Sequence, residues 1–320
     1  MKKIFELKET INQTPIKSAR PNFSNFSETQ LSDFNFFLVQ LFKKKITCAD
    51  SSSPYQYSSL LQAMQYSLLN GGKRIRALLV YATGLALGAD IAICHIAAAA
   101  VEMVHAFSLI HDDLPAMDDD VLRRGLPTCH IQFDEATAIL AGDALHTEAF
   151  DLLSHEIKNP TMAIQMIQTL SRAIGKAGMV QGQTMDIQKK AFDLNSLKIM
   201  HHLKTGCLIT ASAELGYLSA DLNQPELQKS LKIYGRNIGL AFQIKDDLLD
   251  QTSTTAQLGK TAKSDSKNQK ITFVSLLGKI QAEAHMYELL EQALESIKPY
   301  EILSQSYLPD LAKQIIERAY

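Results

Sequence analysis

From about residue 29 onward, apolar residues recur every three or four positions, and no run alternates with the period of two that a half-buried strand needs. The pattern predicts helices over roughly 29–46, 55–70, 74–87, 90–112, 133–156, 160–181, 196–218, 224–249, 271–298 and 308–318. Glycine and proline fall mostly between these stretches, at Gly71, Gly72, Gly88, Pro115, Gly125, Pro127, Pro160 and Pro225. The expectation is an all-α bundle whose sites lie between facing helices. With 320 residues, 46% of them hydrophobic, the chain can bury one large core. Residues 1–27 are polar and weakly periodic, and read as an N-terminal extension, mobile or an arm on a partner, before one domain over 28–320.

Two aspartate clusters interrupt this apolar pattern. Asp112-Asp-Leu-Pro-Ala-Met-Asp-Asp-Asp120 places five acids in nine residues, and Asp246-Asp-Leu-Leu-Asp250 places three in five. Clustered carboxylates repel one another, so a compact fold keeps them solvated or bound to cations. In a straight helix Asp112 and Asp118 would point about 120° apart. Pro115 forbids a straight helix there, and the bend it imposes can bring Asp118 round toward Asp112. Asp246 and Asp250 share one helix face a turn apart. A solvated acidic helix end is the plain alternative for each cluster, but acids at a helix C-terminus face an adverse dipole. Two such clusters suggest one site for hard divalent ions that bind a phosphorylated substrate, as Mg²⁺ does through one or two carboxylates, water and phosphate.

Basic residues supply the complement. Gly71-Gly-Lys-Arg-Ile-Arg76 opens a helix, and Lys73 and Arg76 can converge on one anion there. Arg123 and Arg124 follow the first acidic cluster, as charge compensation or as bidentate phosphate receptors. His105, two turns before Asp112, shares its face. Together these groups can hold two diphosphates, one through metal and one directly. Residues 251–270 are almost wholly polar and follow the second cluster at once; we read them as a lid.

The net charge of −2 gives no general attraction to nucleic acid or anionic membrane. Cys48, Cys94, Cys129 and Cys207 are scattered without a CxxC pair, so a reducing, cytoplasmic setting is expected rather than a disulfide framework or zinc site. The longest apolar stretches carry charges or histidines, so no membrane-spanning segment is expected. Glu6, Lys8 and Glu9 interrupt any signal-peptide core.

At these motifs the chain resembles the trans-isoprenyl diphosphate synthases, from about residue 30 to the end. Ser108-Leu-Ile-His-Asp-Asp-Leu-Pro-Ala-Met-Asp-Asp-Asp-Val-Leu-Arg-Arg-Gly125 is similar to the family's first aspartate-rich motif with its arginine pair. Asp246–Asp250, preceded by Phe242 and Gln243, is similar to the second, and residues 71–76 to the isopentenyl diphosphate motif. Ala141-Gly-Asp-Ala-Leu145, His202-Leu-Lys-Thr-Gly206 and Leu258-Gly-Lys260 also match. The resemblance implies the all-α isoprenoid synthase bundle with a central cavity, usually a homodimer. It implies three Mg²⁺ ions, with Mn²⁺ as a substitute, held by Asp112, Asp113, Asp118, Asp246, Asp247 and Asp250. Arg123, Lys204, Thr205, Gln243, Lys260 and Lys270 would contact the allylic diphosphate, with Arg123, Lys204 and Lys260 serving catalysis beside Asp112, Asp118 and Asp246. Lys73, Arg76, His105 and Arg124 would hold isopentenyl diphosphate.

Phe107, about 7.5 Å down the helix from Asp112, is implied to form the floor of the hydrocarbon pocket. With the two extra residues of the first motif, it favours the C15 product, farnesyl diphosphate. Geranylgeranyl or geranyl diphosphate is the alternative product, and a terpene cyclase or a non-catalytic subunit the more distant reading. Four positions depart from the family pattern: Ala77 for Pro, Val121 for Asp, Lys263 for Gly and Phe273 for Tyr. None of them removes a metal ligand.

Overall fold

In the computed structural model the described residues are 22–48, 58–190, 192–252 and 271–318. Helices α1 (Phe23–Cys48), α2 (Ser59–Leu69), α3 (Ile75–Ala86) and α4 (Ile91–Asp112) come first. A two-stranded hairpin, β1 (Leu122–Arg123) and β2 (Leu126–Pro127), follows, then α5 (Cys129–Gln132), α6 (Glu135–Glu156), α7 (Pro160–Ile174) and α8 (Met179–Ile187). Next come α9 (Leu194–His201), a π-helical turn (His202–Gly206), α10 (Cys207–Ser219) and α11 (Pro225–Thr252). The chain ends with α12 (Phe273–Leu277), α13 (Lys279–Ile297), α14 (Glu301–Ser304) and α15 (Leu308–Glu317). The all-α expectation holds.

Helix α4 is the axis of the bundle. Its N-terminus is capped by Asp90, whose carboxylate accepts from the Ala92 N–H at 2.9 Å. Ala97, Ala98, Ala99 and Ala100 are fully buried, and these small side chains let α3, α6 and α10 pack around it. By length and a mean hydropathy of 1.7 over its most apolar window, α4 could cross a membrane, but 61% of that window is buried inside the molecule. It is packed as a core helix, and its Glu102 is buried in an ion pair with Arg74.

Local chemistry explains where the helices differ from the sequence pattern. The 160–181 stretch divides between α7 and α8, with Gly175 and Gly178 at the junction; the 271–298 stretch divides at Gly278, whose φ is +76°. The 196–218 stretch is interrupted by the π-helical turn. The strands are two residues each, too short for any alternation to show in sequence. Their connecting residues Arg124 (φ +55°) and Gly125 (φ +78°) both carry the positive φ of a tight two-residue hairpin.

Helix α1 starts inside the segment read as an extension. Phe26, Phe34, Leu38 and Phe42 are buried along one face, and Phe26 stacks on Tyr307 at 3.9 Å between ring centroids. Residues 23–27 therefore belong to the helical body. The stretch 251–270 read as a lid lies outside the described residues from 253 onward.

Candidate active site

The C-terminal end of α4 and the C-terminal part of α11 face each other across a cavity of about 600 Å³. The bend at Pro115 turns the chain back on itself: the Asp118 N–H donates to the Asp112 carbonyl at 2.9 Å. Asp112 and Asp118 consequently line one side, with Asp246 and Asp247 opposite. Burial, with Asp118 and Asp113 adding repulsion, pushes the Asp112 carboxyl up to about 6 against the opposing pull of Lys204 and Arg123. In the absence of a cation this carboxylate is held in an environment that disfavours its charge.

Arg76, His105 and Arg124 line the same cavity. The loop from Gly71 to Arg74 positions two of them, Arg124 and Arg76, while His105 comes from α4. Gly72 has a φ of +107°, and a Cβ there would lie 2.6 Å from the Arg124 Cζ, so only glycine lets that guanidinium rest on the loop. Arg124 Nη1 donates to the Gly71 carbonyl at 2.5 Å. Arg74 caps α3 in a left-handed conformation (φ +48°) and reaches inward to Glu102, while Arg76, two residues on, faces the cavity. Burial, followed by the repulsion of Arg76, Arg124, Arg123 and Arg74, keeps His105 neutral well below its ordinary range. Burial also lowers Arg76 to about 10, which leaves it charged at neutral pH.

Three ion pairs organise the acidic side. Arg123 grips both oxygens of Asp113 through Nε at 2.8 Å and Nη2 at 2.5 Å, and lies 3.6 Å from Asp120. Lys204 reaches Asp186 at 2.6 Å, and Arg318 reaches Asp246 at 2.5 Å while its guanidinium sits 3.8 Å over the Phe242 ring. The π-helical turn carries Lys204 and Thr205 to the lining, where the Thr205 hydroxyl donates to Gln243 at 2.8 Å. Asp247 accepts from the Phe273 N–H at 2.7 Å, tying α11 to the start of α12. Phe107 lines the cavity below Asp112, edge-on to the rings of His146 at 4.9 Å and His111 at 5.7 Å.

The structure thus gathers most of the residues singled out in sequence. Asp113 is an exception: it was expected at the metal, but it is buried behind Arg123 and is not on the cavity lining. Lys73 and Asp250 are likewise off the lining among the described residues, and Lys260 and Lys270 lie outside the described residues. Sequence reasoning missed Gln183, Asp186 and Arg318. The first two share a face of α8 with Gly182, a three-residue spacing that was visible. Arg318 pairs 72 residues away, and nothing local announces it.

The sequence matches the polyprenyl synthetase family over residues 57–305. The chain belongs to that family. Within it, a farnesyl diphosphate synthase of Haemophilus influenzae is 48% identical over 246 residues, covering 75% of this chain and 82% of the relative. The farnesyl diphosphate synthase of Escherichia coli is 47% identical over 273 residues, covering 83% and 91%. Among solved structures, a geranyltransferase from Helicobacter pylori, complexed with magnesium and isoprenyl diphosphate, superposes with a TM-score of 0.78. It is 34% identical and covers 93% of this chain and 97% of that one. A putative farnesyl-diphosphate synthase from Marinomonas superposes at 0.77 with 42% identity, covering 93% and 100%.

Proposed function

We propose that this protein condenses isopentenyl diphosphate with dimethylallyl and then geranyl diphosphate, giving (2E,6E)-farnesyl diphosphate with Mg²⁺. The observation that carries the reading is the convergence on one cavity of two pairs of carboxylates, Asp112 and Asp118 facing Asp246 and Asp247, with Arg76, His105 and Arg124 and with Phe107 on the same lining. The allylic carbon–oxygen bond breaks, the departing diphosphate takes the electron pair, and the isopentenyl double bond attacks the allylic carbon. The attack leaves a tertiary cation, and loss of a proton from it, with the leaving diphosphate as acceptor, forms the new double bond of the lengthened allylic diphosphate. Lys204 and Arg123 face the leaving group and stabilise its growing charge, with Lys260 and Lys270 assigned the same end. Asp113 acts by fixing Arg123. The Arg76, His105 and Arg124 group, with Lys73 at its edge, holds isopentenyl diphosphate in a fixed pose.

The donor set fits a hard cation. Asp112, Asp118, Asp246 and Asp247 offer only oxygen, and among the described residues no three such groups converge on one point. An ion held there would take the rest of its shell from water and diphosphate oxygen, as Mg²⁺ prefers. Three ions are expected, with Asp250 completing the second motif and Mn²⁺ able to substitute. When bound, the metal supplies neutralisation of the allylic diphosphate and of the leaving oxygen. The proposal includes a homodimer, for which the exposed Ile131 on α5 and Ile139 and Leu140 on α6 offer an apolar face. It also includes a cytoplasmic location, consistent with free Cys94, Cys129 and Cys207.

The deciding experiment supplies Mg²⁺, isopentenyl diphosphate and either dimethylallyl or geranyl diphosphate, then identifies the products. Farnesyl diphosphate is expected. Absence of condensation refutes the reading, and dominant geranylgeranyl diphosphate refutes the chain length while leaving the reaction class.

A further inference from the structure

Gln183 is the one residue of the cavity wall among those described whose side-chain amide is wholly unspent: both its nitrogen and its oxygen are buried, and neither has a hydrogen-bond partner. An amide offers two donors and an acceptor, and leaving all of them unmade inside a protein is costly. A Met or Leu would fill the same space without that penalty. The cost is explained if a ligand completes the amide.

The surroundings say which part of a ligand. Helix α8 runs against the π-helical turn at backbone distance, because a Cβ on Gly182 would lie 2.1 Å from the Lys204 nitrogen. Gln183 is therefore fixed beside the segment that carries Lys204 and Thr205. Three residues on, Asp186 holds the Lys204 ammonium at 2.6 Å. Three and four residues back, Val180 and Met179 give the lining an apolar surface. Gln183 thus stands between a charged end, the Lys204–Asp186 pair, and an apolar end suited to a hydrocarbon. In a molecule that joins a diphosphate to a hydrocarbon chain, that is the level of the carbon–oxygen junction.

We propose that Gln183 is a substrate-binding residue of the allylic subsite: its Nε2–H donates to a diphosphate oxygen near the junction, beside the ammonium that Asp186 positions. The inference rests on the functional reading above. It assigns the cost of the unpaired amide in the ligand-free protein to affinity in the complex.

The test is Gln183→Met, close in shape but without polar atoms, and Gln183→Glu, which retains only acceptors and adds charge. Three quantities are measured: the thermal midpoint without ligand, the KM of each substrate, and the calorimetric Kd of a non-ionising thiolo analogue of geranyl diphosphate with Mg²⁺. For Gln183→Met the midpoint should stay level or rise. The geranyl diphosphate KM and the analogue Kd should each rise about tenfold, equivalent to about 1.4 kcal/mol, while the isopentenyl diphosphate KM moves less than twofold. Gln183→Glu should lose more affinity for the analogue than Gln183→Met, and it keeps the test open should the Met variant fail to fold. Unchanged allylic KM and analogue Kd would overturn the inference, as would a lowered midpoint with both substrates affected alike. Failure of the unsubstituted protein to bind the analogue would overturn the functional reading itself, a result distinct from variants that bind as the parent does.

Discussion

Arg74 lies between the two cations expected to hold isopentenyl diphosphate, Lys73 and Arg76, yet points away from substrate into the core. Its side chain is 3% exposed and that of Glu102 is 2%. Nη1 meets Glu102 at 2.9 Å, Nη2 donates to the Leu68 carbonyl, and the second Glu102 oxygen accepts from the Ala77 N–H at 3.2 Å. One carboxylate from α4 thus secures both the basic loop and the first turn of α3. Arg74→Met leaves that carboxylate buried without its cation, a change that costs about 3–5 kcal/mol. Unfolding entropy of about 2.1 cal/mol/K per residue over 320 residues gives about 0.7 kcal/mol/K. The expected loss of thermal midpoint is then roughly 4–8 °C. Replacing both partners, Arg74→Met with Glu102→Leu, removes the uncompensated charge and should recover most of the loss, because a buried pair is worth little against apolar residues of similar size. Circular dichroism melts of the parent, both single variants and the double variant close the cycle. A single-variant loss below about 1 kcal/mol, or a double variant no more stable than Arg74→Met, would refute the reasoning.

Phe107→Ala opens the floor below Asp112, and radiolabelled product analysis should show chains beyond C15; an unchanged distribution removes Phe107 from that role. Gly72→Ala combines a disfavoured φ with a clash against Arg124, and should raise the isopentenyl diphosphate KM at least tenfold while leaving the allylic KM within about threefold, as steady-state kinetics would show. Acidification should destabilise the ligand-free fold. Burial lowers His95, His105, His146, His202 and His285 below their unfolded value, so below about pH 6.5 the unfolded chain takes up protons that the fold refuses. Asp112, raised to about 6, and Asp113, also raised by burial, work in the opposite direction but are two groups against five. Thermal midpoints at pH 7.5, 6.5 and 5.5 should fall in that order, and a flat or rising series would contradict the burial argument.

The parts of this structure that were legible in sequence are those with a local cause. Apolar periodicity with caps placed α3 and α4 within a residue of their observed ends, because Asp90 and the Gly71-Gly72 turn mark those ends chemically. Phe26, Phe34, Leu38 and Phe42 carried a four-residue spacing that could have moved the start of α1 earlier. The π-helical turn left no local trace, since a residue's choice between bonding four or five positions back is decided by what packs on it, here Gly182 against Lys204. The acidic motifs stood out because they crowd five acids into nine residues and three into five. Their partners did not, since Asp186 meets Lys204 across 18 residues and Arg318 meets Asp246 across 72.

Those partners change how binding should be understood. In the ligand-free protein Asp113 is paired with Arg123, Asp246 with Arg318 and Lys204 with Asp186, so at these three points substrate meets ion pairs rather than single charges. It exchanges one set of ion pairs for another. On the proposed function, a cation on Asp246 would have to displace or share with Arg318, whose guanidinium would then be free to meet an anionic ligand; Lys73 is close enough to feel its repulsion. The Asp113–Arg123 pair differs, because Asp113 is buried and both its oxygens are engaged. It is the fixed member, and it keeps an arginine aimed at the cavity whether or not a diphosphate is present. On the proposed function, the pairs at Asp246 and Lys204 are the ones that would open to a metal–diphosphate complex, while the buried Asp113–Arg123 pair would hold.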